Sequence, residues 1–178
     1  GLWDWESVKN DFHSFVRDSV PVSYRYVDGE TTHFVEVTFN DVEWVNDEGQ
    51  SETVTSFSQV VPVIDDDKIT WEDIATGWDV DVQASTKRLS KWIHIDSLAN
   101  LGAPTIGGTN IRLRFSFTWQ KSGALEVWVD GVQWDEKNNT WVETSGDIEF
   151  RDEISQEAAF WFENPHGHDS ADPDKNIA

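Results

Sequence analysis

Five histidines and 34 acidic residues carry whatever acid–base or metal chemistry this 178-residue chain holds, since it contains no cysteine and therefore no thiolate nucleophile or thiolate metal site. His166 and His168, with Asp169, have a spacing that suits a metal. They stand in a stretch with Pro165, Gly167 and Pro173 and little apolar pattern, which reads as a tail. Asp65, Asp66 and Asp67 are the other candidate cation site, because hard cations want several carboxylate oxygens. Their spacing is not that of an EF-hand loop, and a solvated turn between two strands accounts for them, so no metal and no cofactor is expected. Paired carboxylates for glycoside hydrolysis need a fixed separation in a cleft, and among this many acids such pairs arise without meaning. Ser56, Ser58 and the other hydroxyls lack a nucleophile-elbow setting. The expectation is a protein that is not an enzyme. Asn138-Asn139-Thr140 holds a glycosylation sequon, which matters only for an exported chain.

The tryptophans carry more information. Leu125, Val127 and Val129 share one phase of a strand, and Trp128 stands on the other with Glu126 and Asp130. A large aromatic on the polar face of a strand needs a partner: another element, another subunit or a sugar ring.

These residues are positioned by strands. Ile111, Leu113, Phe115, Phe117 and Trp119 alternate with Arg112, Arg114, Ser116, Thr118 and Gln120, and Trp78, Val80 and Val82 alternate with Asp79, Asp81 and Gln83. Such period-2 patterns place one apolar face on a core. Asp28-Gly29 and Asp130-Gly131 are hairpin turns. Further strands are expected near 42–45, 53–64, 69–75, 91–95, 141–144, 147–150 and 158–162, with 100–110 a Gly-rich loop. The opening segment has a different period. Leu2, Trp5, Val8, Phe12, Phe15 and Val16 recur at three- and four-residue spacing, which predicts an amphipathic helix ending before Pro21. The organisation expected is therefore an N-terminal helix or arm over 1–20, an antiparallel two-sheet sandwich over 21–162, of which a single jelly roll is the natural closure, and an extended tail over 163–178.

The balance of 13 basic against 34 acidic residues leaves a formal net charge of −21. Phosphate binding needs clustered lysine and arginine, so nucleic acid is not an expected partner. Self-repulsion at this charge is relieved at molar salt, where the Debye length falls to about 3 Å, and the surface is read as high-salt-adapted. No run of some 20 apolar residues, long enough to cross a bilayer as a helix, is present.

Two resemblances follow. Phe115-Ser116-Phe117-Thr118-Trp119 and Ser122-Gly123-Ala124-Leu125-Glu126-Val127-Trp128-Val129-Asp130-Gly131 resemble the strand pair of concanavalin-like lectin and laminin-G-like domains. That resemblance implies a carbohydrate-binding module, secreted by a halophile, with Trp128, Asp130 and Trp134 as ligand-binding residues. The whole-chain pattern of a compact, acidic, cysteine-free jelly roll with a short N-terminal helix resembles the smaller major capsid protein of haloarchaeal icosahedral viruses with an internal membrane. That resemblance implies a structural subunit of a virion, assembled in a halophilic host cytoplasm. Its partners would be copies of itself, related capsid subunits and, through the helix, an underlying membrane. Leu2, Trp3, Trp5 and Trp128 would then be interface residues. The shell subunit is the leading expectation and the sugar-binding module the alternative.

Overall fold

The computed structural model describes residues 5–9, 12–17, 23–28, 33–66, 68–84, 89–162, 167–169 and 172–177. It divides into two compact units, Gly1–Lys121 and Ser122–Ala178, a division that falls inside the segment 21–162 expected as one sandwich. The chain is mainly β and its strands pair antiparallel, as the alternating patterns require.

In the first unit one sheet begins with β1 (Trp5–Lys9), β2 (Phe12–Arg17), β3 (Ser23–Asp28) and the long β4 (Phe34–Val45). Val27 pairs with Phe34, so the strands expected on either side of Asp28-Gly29 are antiparallel neighbours. The described part of 1–20, where a helix is expected, is not helical. Trp5–Lys9 and Phe12–Arg17 are antiparallel strands with Trp5 opposite Val16 and Lys9 opposite Phe12, and residues 1–4, 10–11 and 18–20 lie outside the described residues. The three- and four-residue recurrence spans two elements, since Lys9 ends one strand and Phe12 opens the next. Trp, Val and Phe suit strands better than a short, isolated helix.

Pairing then fixes the rest of this sheet. β4 takes β5 (Ser51–Ser56) beside its second half, and β10 (Arg112–Lys121) runs along its other edge, with Phe115 opposite Val42 and Phe117 opposite Phe39 across a register irregularity. The second sheet of this unit is a meander of β6 (Val63–Asp65), β7 (Lys68–Ala75), β8 (Trp78–Ala84) and β9 (Leu89–Ile95), followed by a 3-10 turn at Leu98–Leu101. Trp78, Val80 and Val82 are buried, the phase their alternation predicts. They share a core with Trp71, Ile74, Val37, Val42, Phe39 and Phe57. Ring contacts link the two sheets, with Phe39 and Phe57 centroids 6.4 Å apart and Phe57 and Trp78 6.3 Å apart. Phe115, Phe117 and Trp119 are half-buried rather than central.

The Gly-rich loop is tied down by carboxylates. Glu52 accepts from Thr105 N, Thr105 Oγ1 and Ile106 N, and Glu48 accepts from Thr109 N and Oγ1. Buried Asn46 donates from Nδ2 to the Gly107 carbonyl at 2.7 Å. These bonds hold both glutamates below their usual carboxylate range, chiefly through the backbone N–H of Thr109 for Glu48 and of Thr105 for Glu52.

The second unit is a four-stranded sheet in the order β12-β11-β13-β14, from β11 (Leu125–Val129), β12 (Val132–Gln133), β13 (Ile148–Asp152) and β14 (Ala158–Phe162). One face buries Leu125, Val127, Ile148, Phe150 and Phe160. The segment 141–144 is not a strand. The tail expected over 163–178 instead contains a hairpin, β15 (Gly167–Asp169) with β16 (Asp172–Ile177).

Candidate functional site

The opposite face of the second unit's sheet carries the polar phase of each strand. Trp128 of β11 lies opposite Gln133 of β12 and Glu149 of β13, and Glu149 lies opposite Trp161 of β14. The result is a row, Gln133–Trp128–Glu149–Trp161, running across four strands. Arg151, two residues beyond Glu149 and so on the same face, holds its guanidinium 4.2 Å from the Trp128 ring centroid. It also donates from Nε to Glu149 at 2.7 Å. That hydrogen bond raises the Arg151 pKa further above its ordinary value. Trp128 thus finds its partner inside its own sheet, through a cation–π contact. Its indole Nε1 is buried with no acceptor among the described residues. Trp161 keeps 46% of its surface exposed.

Beside this row is an open depression of about 270 Å3 lined by Asp130, Gly131, Gly146, Asp147 and Glu149. The Asp-Gly turn builds one wall. Asp130 and Gly131 both have positive φ, 52° and 75°, and Val129 pairs with Val132 across them, the geometry of a two-residue hairpin turn. The loop from Trp134 to Asp147 builds the other. Asp130 N donates to the Asp147 carbonyl at 3.0 Å, and Asp130 Oδ2 accepts from Thr144 Oγ1 at 2.8 Å. Thr144 Oγ1 in turn accepts from Gly146 N. A Cβ on residue 146 would strike the Asp130 carboxylate, so any larger residue there displaces that side chain. These contacts draw 141–144 into the loop in place of the expected strand.

Of the sugar-binding candidates, Asp130 lines the depression, and Trp128 lies in the row opposite Glu149, which lines it too. Trp134 does not join them. Its N–H donates to the Val127 carbonyl, which extends the ladder and places it in register with the core-facing residue. Sequence reasoning passed over Glu149, Arg151, Trp161, Asp147 and Gly146. The signal that singled out Trp128 also applies to Trp161, which stands between Phe160 and Phe162 as an aromatic on the polar phase. Three carboxylates, a guanidinium and a half-exposed indole supply hydrogen-bond acceptors, a donor and an apolar platform on one sheet and its adjoining turn and loop.

The interface candidates are dispersed or undescribed. Leu2 and Trp3 lie outside the described residues, Trp5 is in β1 of the first unit, and Trp128 is engaged by Arg151. Of the cation candidates, Asp65 ends β6 opposite Lys68, Asp66 occupies the turn at φ 52°, and Asp67 lies outside the described residues. Among the described residues no group of three His, Asp or Glu side chains is arranged to hold a metal ion.

The first unit has its own polar hub. Asp81 is only 6% exposed although its alternation phase points outward. Its Oδ2 meets Lys68 Nζ and His94 Nε2, each at 2.8 Å, and its Oδ1 accepts from Thr70 Oγ1 at 2.7 Å. Burial pushes the Asp81 carboxyl up, but the bonds from Lys68, Thr70 and His94 together outweigh it and hold the pKa below the usual range.

No protein-family model matches the chain, and no curated protein or solved structure matches it.

Proposed function

We propose that the second unit binds carbohydrate. The observation that carries this reading is the row Trp128–Glu149–Trp161 beside the depression lined by Asp130, Asp147 and Glu149. Sugars present hydroxyl groups in a ring plane and C–H groups on its faces. Carboxylates accept from the hydroxyls, while an exposed indole face covers the C–H surface. At about 270 Å3 the depression is slightly smaller than the roughly 300–1,000 Å3 of drug-sized ligand pockets, which suits a small ligand. Trp161 is the stacking platform, Asp130, Asp147 and Glu149 are acceptors, and Arg151 holds Glu149 and Trp128 in place. Titration with a panel of soluble neutral oligosaccharides in molar salt tests this. Trp161→Ala and Glu149→Gln should each weaken binding by about tenfold or more, equivalent to about 1.4 kcal/mol, without lowering the melting temperature of the first unit. Absence of binding to every member of the panel at millimolar ligand refutes the reading.

A second reading, a subunit of a high-salt-adapted viral shell built on a single jelly roll, is favoured by one observation. Val61, Val63 and Ile64 are 64%, 53% and 38% exposed around Pro62, an apolar run on an otherwise acidic chain. Such a run suits a contact with another copy or a related subunit. Light scattering in molar salt decides it: large symmetric particles support a shell subunit, and a monomer at all concentrations refutes it.

A further inference from the structure

We propose that Asn138 is an acceptor for an N-linked glycan. The chain contains a single Asn-x-Ser/Thr sequence with x other than proline, Asn138-Asn139-Thr140. The fold puts it where a transferase can reach it. Asn138, Asn139 and Thr140 are all exposed, and they stand in the loop between β12 and β13, outside every strand of that sheet.

The local hydrogen bonds favour presentation of the acceptor atom. Asp135 nucleates the turn, with Oδ1 accepting from Lys137 N and its carbonyl accepting from Asn139 N and Nδ2. The acceptor amide itself, Asn138 Nδ2, donates only to Asp135 Oδ2 at 2.6 Å, at the surface. Releasing it breaks one solvent-accessible bond and no ladder pairing. The loop's anchors to the sheet lie on either side, at Trp134 N to the Val127 carbonyl and at Thr144 to Asp130. The sequon can therefore be drawn into an extended conformation without unpairing β11, β12 or β13. Trp141, three residues on and 70% exposed, supplies an apolar surface beside the attachment point for the first sugar residues to cover.

The donor is an oligosaccharide joined through its anomeric carbon to a lipid phosphate or pyrophosphate, and the catalyst is an oligosaccharyltransferase. Asn138 Nδ2 attacks the anomeric carbon and the bond from that carbon to the phosphate oxygen breaks. The electron pair leaves with the lipid phosphate, and Nδ2 gives up one proton to a base of the transferase. The product is an N-glycosidic amide. The consequence is that this loop is exposed, at some stage, to the compartment in which such transferases work.

The test incubates the folded chain with a purified oligosaccharyltransferase and a lipid-pyrophosphate-linked oligosaccharide, followed by intact-mass and peptide mass spectrometry. The expected result is one added oligosaccharide on the peptide containing Asn138, retained in Thr140→Ser and lost in Asn138→Gln and Thr140→Ala. Circular dichroism of Asn138→Gln should match the parent, which separates loss of the acceptor from loss of the fold. The proposal is overturned if the folded chain gains no mass while a synthetic peptide spanning 134–144 is modified, because the fold would then occlude the sequon. It is equally overturned if neither is modified, or if the added mass survives Asn138→Gln.

Discussion

Gly146→Ala separates ligand binding from folding at the depression of the second unit. A Cβ at this position would fall on Asp130 Oδ1 and within 2.7 Å of Asp130 Cγ, so the Asp130 side chain must swing away. The structural loss is one surface hydrogen bond to a carboxylate, from Thr144 Oγ1 to Asp130 Oδ2, worth at most about 1.5–3 kcal/mol. Replacing glycine also restricts the unfolded chain, which returns about 0.4–1 kcal/mol. Net stability should therefore fall by no more than about 2.6 kcal/mol. Ligand binding should fall as well, because a charged acceptor leaves the depression. A hydrogen bond to a charged group is worth about 1.5–3 kcal/mol, which corresponds to a weakening of roughly 10- to 150-fold. Calorimetric titration with the tightest-binding oligosaccharide and a thermal melt measure the two quantities. Asp130→Ala should weaken binding to the same degree, and adding Gly146→Ala to it should cost nothing further, since the atoms that clash are gone. Unchanged affinity in Gly146→Ala refutes the role given to Asp130. A loss of stability above about 3 kcal/mol would show instead that the Asp130–Gly146 contact holds the loop.

Three further outcomes follow from the charge, the hub and the core. Lowering salt from molar to tens of millimolar lengthens the Debye length from about 3 Å to more than 10 Å, so at a formal charge of −21 the melting temperature should fall; a flat or rising value contradicts the high-salt reading. The Asp81 carboxyl is held below its ordinary value of about 3.9, so its contribution to stability is present above that pH and lost as pH falls through the folded value. Asp81→Asn should cost about 1–3 kcal/mol at neutral pH and flatten the acid limb of the melting curve, and parallel acid limbs in the two proteins would exclude the hub as a source. Phe150→Ala, at a fully buried position, should cost roughly 3–5 kcal/mol in urea denaturation of the second unit, against less than about 1 kcal/mol for Trp161→Ala; equal losses would place Trp161 in the core.

Strands whose burial is decided by their own alternation were legible in the amino-acid sequence. Trp78, Val80 and Val82 face the core, Leu125 and Val127 do the same, and Trp128 stands on the opposite phase. The Asp-Gly turn at 130–131 was legible for a similarly local reason, since positive φ at both central residues suits few other pairs. Over 1–20 local information failed. Trp5, Val8, Phe12, Phe15 and Val16 satisfy a helical stripe on paper, yet they lie in two paired antiparallel strands. The choice rests on β2 pairing with β3, a contact outside that segment's own period.

The candidate site was half legible for the same physical reason. The phase of β11 marked Trp128 as a residue needing a partner, with Asp130 on the same phase. It could not say that Arg151 would cover Trp128, because the two are brought together only by the register of β11 against β13. Nor could it say that Trp161 lies at the end of the same row, which depends on β14 joining β13. Asp81 shows the converse case, an acid that alternation turns outward and tertiary contacts with Lys68, Thr70 and His94 bury. Side-chain period is a property of one strand and is written in its residues. Which strands become neighbours, and hence which polar faces converge into a site, is settled by hydrogen bonding and packing between segments far apart in the chain.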